Sequence, residues 1–344
     1  MRNHCLHATL CCLACLMTAC GRTDDEARPD MTVFSGETMG THYSVKVVAP
    51  PQSIDSQSIK QGIEEQLETV DRLMSTYRED SELSRLNRFD QAEWFPVSEE
   101  TATVMALALE TGELSGGALD VTIGPLVDLW HFGPDKGQAD GIPSDAQIAE
   151  AVKRTGRGDL QVRLCPPAVL KKRADIQIDL SAVAKGFAVD KTAEYLLQCG
   201  MENFLVDVGG EVRAAGRNQS GKPWRLAVEA PITAGRAIQT TVPLANVAMA
   251  TSGDYRNFFE ENGTRYCHII DPRSGRPVAH RLASVSVIDA SCARADALAT
   301  ALLVLGPEDG YNLAVEHDLP ALFIIREDNG FRQRPTPRFE AIGK

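Results

Sequence analysis

Ala295-Asp296-Ala297-Leu298-Ala299-Thr300 sets a carboxylate and a hydroxyl one helical turn apart, on one face. Oxygens so placed can share a hard cation such as Mg2+, which takes oxygen ligands and bridges to phosphates. The ordinary alternative, Asp296 capping the helix while Thr300 packs, stays open at this level. His268 stands just before the turn-forming Asp271-Pro272-Arg273-Ser274-Gly275. It is either structural or, with an ordinary pKa near working pH, a proton-transfer group. Asp179-Leu180-Ser181, before Ala182-Val183-Ala184-Lys185-Gly186, offers two helix caps or a helix N-terminus suited to an anionic ligand. Asp207-Val208-Gly209-Gly210-Glu211 is a tight hairpin or a gap beside a bulky ligand.

Three further clusters are polar or glycine-rich. Gly117-Ala118-Leu119-Asp120 leads through an apolar run to Trp130, so a buried Asp120 requires a hydrogen-bonding partner. Met39-Gly40-Thr41 enters a strand, with a glycine that allows an unusual turn or close approach to a ligand. Met74-Ser75-Thr76-Tyr77 ends a helical pattern, and Tyr77 either closes that helix or stacks on a flat ring. No GxxxxGK[ST], HExxH, GxSxG or EF-hand loop occurs, which removes the main support for common NTPase, zinc-protease and α/β-hydrolase readings.

The elements that must position these clusters alternate along the chain. Strand patterns cover Thr41–Val48, Phe204–Val208, Glu211–Ala215, Trp224–Glu229, Ile238–Val242, Val247–Thr251, Ala283–Ile288 and Ala321–Ile325. Helical spacing covers Ile54–Met74, Thr101–Leu114, Lys185–Cys199 (closed by Gly200), Ala293–Leu305 and Pro307–Glu316. Residues 133–144 form a Gly/Pro/Asp loop. Helices interrupting runs of mostly adjacent strands predict an α+β fold.

The chain of 344 residues carries a formal charge of −12 at pH 7, which disfavours nucleic acid and anionic lipid as partners. A basic Arg2 and the mostly apolar run from Cys5 to Met17 make a signal-peptide core, too short to span a bilayer. It ends in Leu16-Met17-Thr18-Ala19-Cys20-Gly21, which resembles the lipobox of bacterial lipoproteins, with Met17 where leucine is usual. The expected boundaries are a leader over 1–19, a lipidated tether over 20–31 starting at Cys20, and a folded domain over 32–344. A secretory signal that leaves Cys20 free is the alternative. The expected address is a bacterial membrane, facing the periplasm, with inner or outer membrane open. Loss of the leader removes Arg2 and no acid, so the mature chain is one charge more negative. Beyond it, Cys165, Cys199, Cys267 and Cys292 are widely spaced with no CxxC pair, which favours buried free thiols.

Taken in order, the seven clusters resemble the ApbE family of FAD:protein FMN transferases, many of them lipoproteins. The resemblance runs from about Val33 to about Ile325. It implies a single ApbE-like, T-fold-related domain and a reaction in which FAD is cleaved at its pyrophosphate with Mg2+. FMN passes to a threonine or serine hydroxyl of a target protein (protein flavinylation), and AMP leaves. By position it gives FAD contacts to Met39, Tyr77, Ala118, Leu119, Asp120, Asp179, Lys185 and Ile270. Metal ligation falls to Asp296, Thr300 and the backbone of Ala182, and His268 matches the proposed base. Lys185 stands where some relatives carry glutamate and Ala299 where some carry a third acidic ligand, so one or two Mg2+ ions remain open. The implied acceptors are subunits of membrane redox complexes, of the sodium-translocating NADH:quinone reductase or Rnf type. An FAD pyrophosphatase releasing FMN and AMP, or a non-catalytic FAD-binding lipoprotein, would use much the same residues.

Overall fold

The computed structural model describes residues 29–134, 141–232, 235 and 237–342. The expected leader, Cys20, most of the tether and part of the 133–144 loop lie outside the described residues.

Eight antiparallel strands form the main sheet: β1 Met31–Thr38, β2 Thr41–Val48, β3 Phe204–Val208, β4 Glu211–Ala215, β5 Val247–Gly253, β6 Leu282–Asp289, β7 Ala321–Glu327 and β8 Gly330–Pro335. They lie side by side in chain order. Helices interrupt this meander twice. Between β2 and β3 come α1 Ser56–Met74, α2 Glu82–Arg88, α3 Glu99–Leu114, α4 Gly124–Leu129, α5 Asp145–Lys153 and α6 Ser181–Gln198; between β6 and β7 comes α7 Cys292–Glu316. The sheet is thus two strand-pair, helix, strand-pair units side by side, the α+β arrangement expected and in keeping with a T-fold-related chain. A last helix, α8 Pro337–Ile342, follows β8.

The period-two pattern explains why this sheet has two covered faces. In β3, Phe204, Val206 and Val208 pack among α1, α3 and α6, while Leu205 points to the opposite cluster. In β7, Phe323 and Ile325 meet α7, and Leu322 and Ile324 face the other way. That other face is covered by the hairpin Trp224–Glu229/Ile238–Leu244, through Trp224, Val228, Val242 and Leu244. Helix α1 buries Ile59, Ile63, Leu67, Val70 and Met74, the expected stripe, and starts at an Asp55 side chain that accepts Ser58 N–H at 2.9 Å.

Several boundaries differ from the sequence expectations. Helix α6 begins one turn earlier than Lys185, because Asp179 supplies its N-terminal hydrogen bonds. The two helical stretches at the C-terminal end are continuous as α7 but broken at Gly306 (φ 87°), ahead of Pro307, which lacks the N–H to continue the ladder. Strands β1 and β8 escaped the sequence pattern; both are sheet edges with many exposed side chains, so their apolar alternation is weak. All four described cysteines are free, but only Cys267 and Cys292 are buried; Cys165 is exposed and Cys199 half-buried, correcting the expectation of burial for those two. Cys165 lies in the turn of a peripheral hairpin outside the hydrophobic core.

Candidate functional site

A cavity of about 470 Å³ opens where the N-terminus of α6, the β3–β4 turn, the end of β5 and one face of α7 converge. The insertion 254–281, between β5 and β6, closes one side of it. Ala118, Leu119, Asp120, Asp179, Ala182, Lys185, His268, Ile270, Asp296 and Thr300 all line it, although they span most of the chain. Met39 and Tyr77 are not among the lining residues. Met39 holds a left-handed turn position (φ 48°) between β1 and β2 and packs part-buried on the core. Tyr77 follows α1, is largely exposed, and donates its hydroxyl to Phe132 O at 3.3 Å. Phe132 in turn stands edge-on to the cavity residue His268, which brings Tyr77 to that side of the site.

Asp120 finds the partners that its apolar setting demands. Its Oδ1 accepts Thr122 N–H at 2.9 Å and the Thr122 hydroxyl at 2.7 Å, and its Oδ2 accepts Arg157 N–H at 3.1 Å. Asp179 accepts Ser181 N–H at 2.8 Å and the Ser181 hydroxyl. The cap position itself is Leu180, which makes no side-chain bond, so Asp179 does the capping from one residue further out. In the β3–β4 turn Gly209 and Gly210 have φ of 64° and 104°, a backbone that glycine adopts without strain. Both line the cavity: the tight hairpin and the open space occur together.

The charged centre lies where α6 and α7 pack. Asp296 is buried, and its Oδ2 accepts Gly186 N–H at 3.0 Å, an amide that in a regular helix is aimed at the Ala182 carbonyl. The Lys185 ammonium is 3.6 Å from the same oxygen and 2.9 Å from Glu211 Oε1. Glu211 Oε2 is buried without a hydrogen-bond partner. Burial pushes the Asp296 and Glu211 carboxyls up, Glu211 to about 8. Burial lowers Lys185 in turn, but the two acids outweigh it and hold the ammonium protonated. The α7 cap is Ser291, whose Oγ accepts Arg294 N–H at 3.3 Å; this rules out capping by Asp296 and leaves that carboxylate to the cavity. Thr300 shares a hydrogen bond with Ser252 at 2.9 Å. Buried Asp190 of α6 fixes the register of the two helices: it binds Arg213 at 2.7 Å, Ser291 Oγ at 2.8 Å and Ala293 N–H at 3.1 Å.

His268 is held from the insertion. Its Nδ1 is 3.1 Å from the Asn257 carbonyl, which can only accept, so Nδ1 carries the proton and Nε2 is the basic nitrogen. Phe132 stands edge-on to the ring, with centroids 6.3 Å apart. Burial, then the nearby Lys185 charge, lowers its pKa and keeps the ring neutral. Behind it, Trp130 Nε1 donates to Gly275 O at 2.8 Å and ties the Asp271–Gly275 turn to α4.

Among the described residues the lining is acidic: it holds Asp120, Asp179, Asp207, Glu211, Glu229 and Asp296 beside Lys185 and Arg256, and Arg256 is paired with Glu229. Among the described residues no three His, Cys, Asp or Glu side chains form a metal cluster. The donors near Asp296 are nevertheless all oxygen, and an orphaned buried carboxylate oxygen sits among them. That chemistry fits a hard cation keeping some of its waters. Sequence reasoning missed Glu211 as a site residue; its signal was an acid directly after the glycine pair. Ser252, Arg256 and Asn257 carried no comparable signal.

A sequence model of the ApbE family matches residues 39–323. The chain belongs to the ApbE family. It is 44% identical over 307 residues to an FAD:protein FMN transferase of Vibrio cholerae, covering 89% of this chain and 91% of that one. A Haemophilus influenzae FAD:protein FMN transferase is 42% identical over 314 residues, at 90% of both chains. The solved structure of the flavin transferase ApbE from Vibrio cholerae superposes with a TM-score of 0.85 at 42% identity, over 91% of this chain and 99% of that one. The matched span contains every residue that lines the cavity.

Proposed function

We propose that the protein transfers FMN from FAD to a threonine or serine hydroxyl of a target protein, with Mg2+, and releases AMP. One observation carries this reading: a neutral, oriented histidine and an all-oxygen acidic centre line the same cavity. In the transfer, the acceptor hydroxyl oxygen bonds to the FMN phosphorus. The bond between the FMN phosphorus and the bridging oxygen breaks, and AMP leaves with the bridging oxygen. His268 takes the hydroxyl proton at Nε2, the nitrogen left basic by the Nδ1 contact to Asn257. Asp296, Thr300 and the Ala182 carbonyl would hold Mg2+, which when bound neutralises pyrophosphate charge in a cavity whose own lining repels anions. Ile270, Ala118 and Leu119 give the apolar wall suited to a flat ring system, with Tyr77 at the rim.

The proposed setting is the outer side of a bacterial membrane, with a lipid on Cys20 and a tether that ends where β1 begins at Met31. Among the described residues no helix is long and apolar enough to cross a membrane. The proposed acceptors are subunits of membrane redox complexes of the sodium-translocating NADH:quinone reductase or Rnf type. The test is incubation with FAD, Mg2+ and a candidate acceptor domain. Covalent, fluorescent FMN on the acceptor supports transfer. Free FMN and AMP without labelling would identify a pyrophosphatase, and unchanged FAD a binding protein.

A further inference from the structure

The acidic centre holds one more carboxylate than the Asp296–Thr300 pair requires. Glu211 is 3% exposed, lines the cavity, and its Oε2 has no hydrogen-bond partner. A buried carboxylate oxygen without a donor is costly, and an absent ion is a standard reason for one. Its other oxygen, Oε1, is bound by the Lys185 ammonium at 2.9 Å, and the same ammonium lies 3.6 Å from Asp296 Oδ2. Lys185 therefore occupies the space in which a single cation could bind one carboxylate directly and the other directly or through a retained water. Its side chain is also the most exposed part of the cluster, 31% exposed against 4% and 3% for the two acids.

We propose that Glu211 is a ligand of the divalent cation alongside Asp296, and that Lys185 is an internal stand-in which the incoming cation displaces. The displaced ammonium remains on the cavity wall, where a phosphate oxygen of the substrate is its natural partner. Both carboxylates keep a positive partner throughout, so neither is stranded as a bare buried charge. The inference rests on the Mg2+-dependent reading above and gives cation binding an opposing group within the protein. A cation must compete with Lys185, so affinity in the absence of substrate is held down. Because a substrate phosphate rewards displacement of the lysine, cation and substrate favour each other's binding.

The experiment measures Mn2+ binding to the purified protein without FAD, by calorimetry and by electron paramagnetic resonance of free Mn2+. Asp296→Asn is the reference variant. Glu211→Gln should weaken binding at least tenfold, whereas Lys185→Met should tighten it at least tenfold. A merely structural lysine would give the opposite sign. Thermal melts guard against misfolding: Lys185→Met should melt lower than the parent without metal and gain more from added Mg2+ than the parent does. If Asp296→Asn loses binding while Lys185→Met binds no tighter, or Glu211→Gln binds as the parent, the stand-in idea is overturned and the Mg2+ reading survives. If neither the parent nor Lys185→Met binds Mn2+, or Asp296→Asn binds as well as the parent, both fail together.

Discussion

His268 shows how a common residue becomes a specific one. The ring is neutral because burial and the Lys185 charge lower its pKa, and it is oriented because Nδ1–H donates a hydrogen bond to Asn257 O. If Nε2 is the base, His268→Gln should lower turnover on the order of 10²–10⁴-fold with little change in FAD binding. The pH profile has a definite sign. A lowered pKa keeps the base form available in more acidic solution, so the acid limb of kcat/KM should fall below the ordinary histidine value of 6.5. A limb at or above 6.5 would remove His268 from the role. Asp296 carries a second expectation: Asp296→Ala should abolish Mg2+-dependent turnover while the circular dichroism spectrum stays native. Undiminished activity would sink the metal assignment. Both residues were legible in the sequence as candidates, but only as alternatives. Ser291, not Asp296, caps α7, and the Asn257 carbonyl orients the His268 ring.

Between elements, the decisive contact is α6 against α7. The two helices approach so closely at Gly186 that a Cβ there would lie 2.4 Å from Cys292 O and 2.8 Å from Ala293 Cα. Alanine is the better helix former by about 1 kcal/mol, so on an isolated helix Gly186→Ala would stabilise. Here the obstacle is backbone of another helix, which cannot rotate away, and overpacking of this kind costs about 1–3 kcal/mol. We expect net destabilisation in chemical denaturation. Activity should fall further than stability, because the shift moves Lys185 and Ala182 away from Asp296 and Thr300. A more stable or equally active variant would show that the contact has slack. Element types were legible wherever apolar periodicity is strong, as in α1 and β3, and were lost at the half-exposed edge strands.

For the molecule as a whole, the proposed membrane address and the chemistry are expected to be separable. Among the described residues the cavity is lined from Ala118 to Val304, far along the chain from Cys20. Cys20→Ser should therefore move the protein from the membrane to the soluble fraction while flavinylation of a soluble acceptor domain in vitro stays near the parent level. Retention of the variant in membranes would argue that something other than a lipid on Cys20 holds it there. The acidic surface adds a constraint, since a strongly anionic acceptor would be repelled at low ionic strength.

The sequence by itself determined which residue types are present, their order, and most strand and helix spans, because periodicity and capping are local. It also determined the family, because seven short clusters in a fixed order are specific even when each alone is ambiguous. Tertiary structure decided which clusters share a wall. Asp120, Lys185, Glu211, His268 and Asp296 come from the two helical excursions, the β3–β4 pair and the 254–281 insertion, which converge on one cavity. It also separated Met39 and Tyr77 from the cavity lining, and it gave Glu211 a place in the site. The physical reason is one of range. Hydrogen-bonded turns and helical faces are set by neighbours a few residues apart, whereas the burial and charge balance around Asp296 and Thr300 are set by strands and helices a hundred residues away.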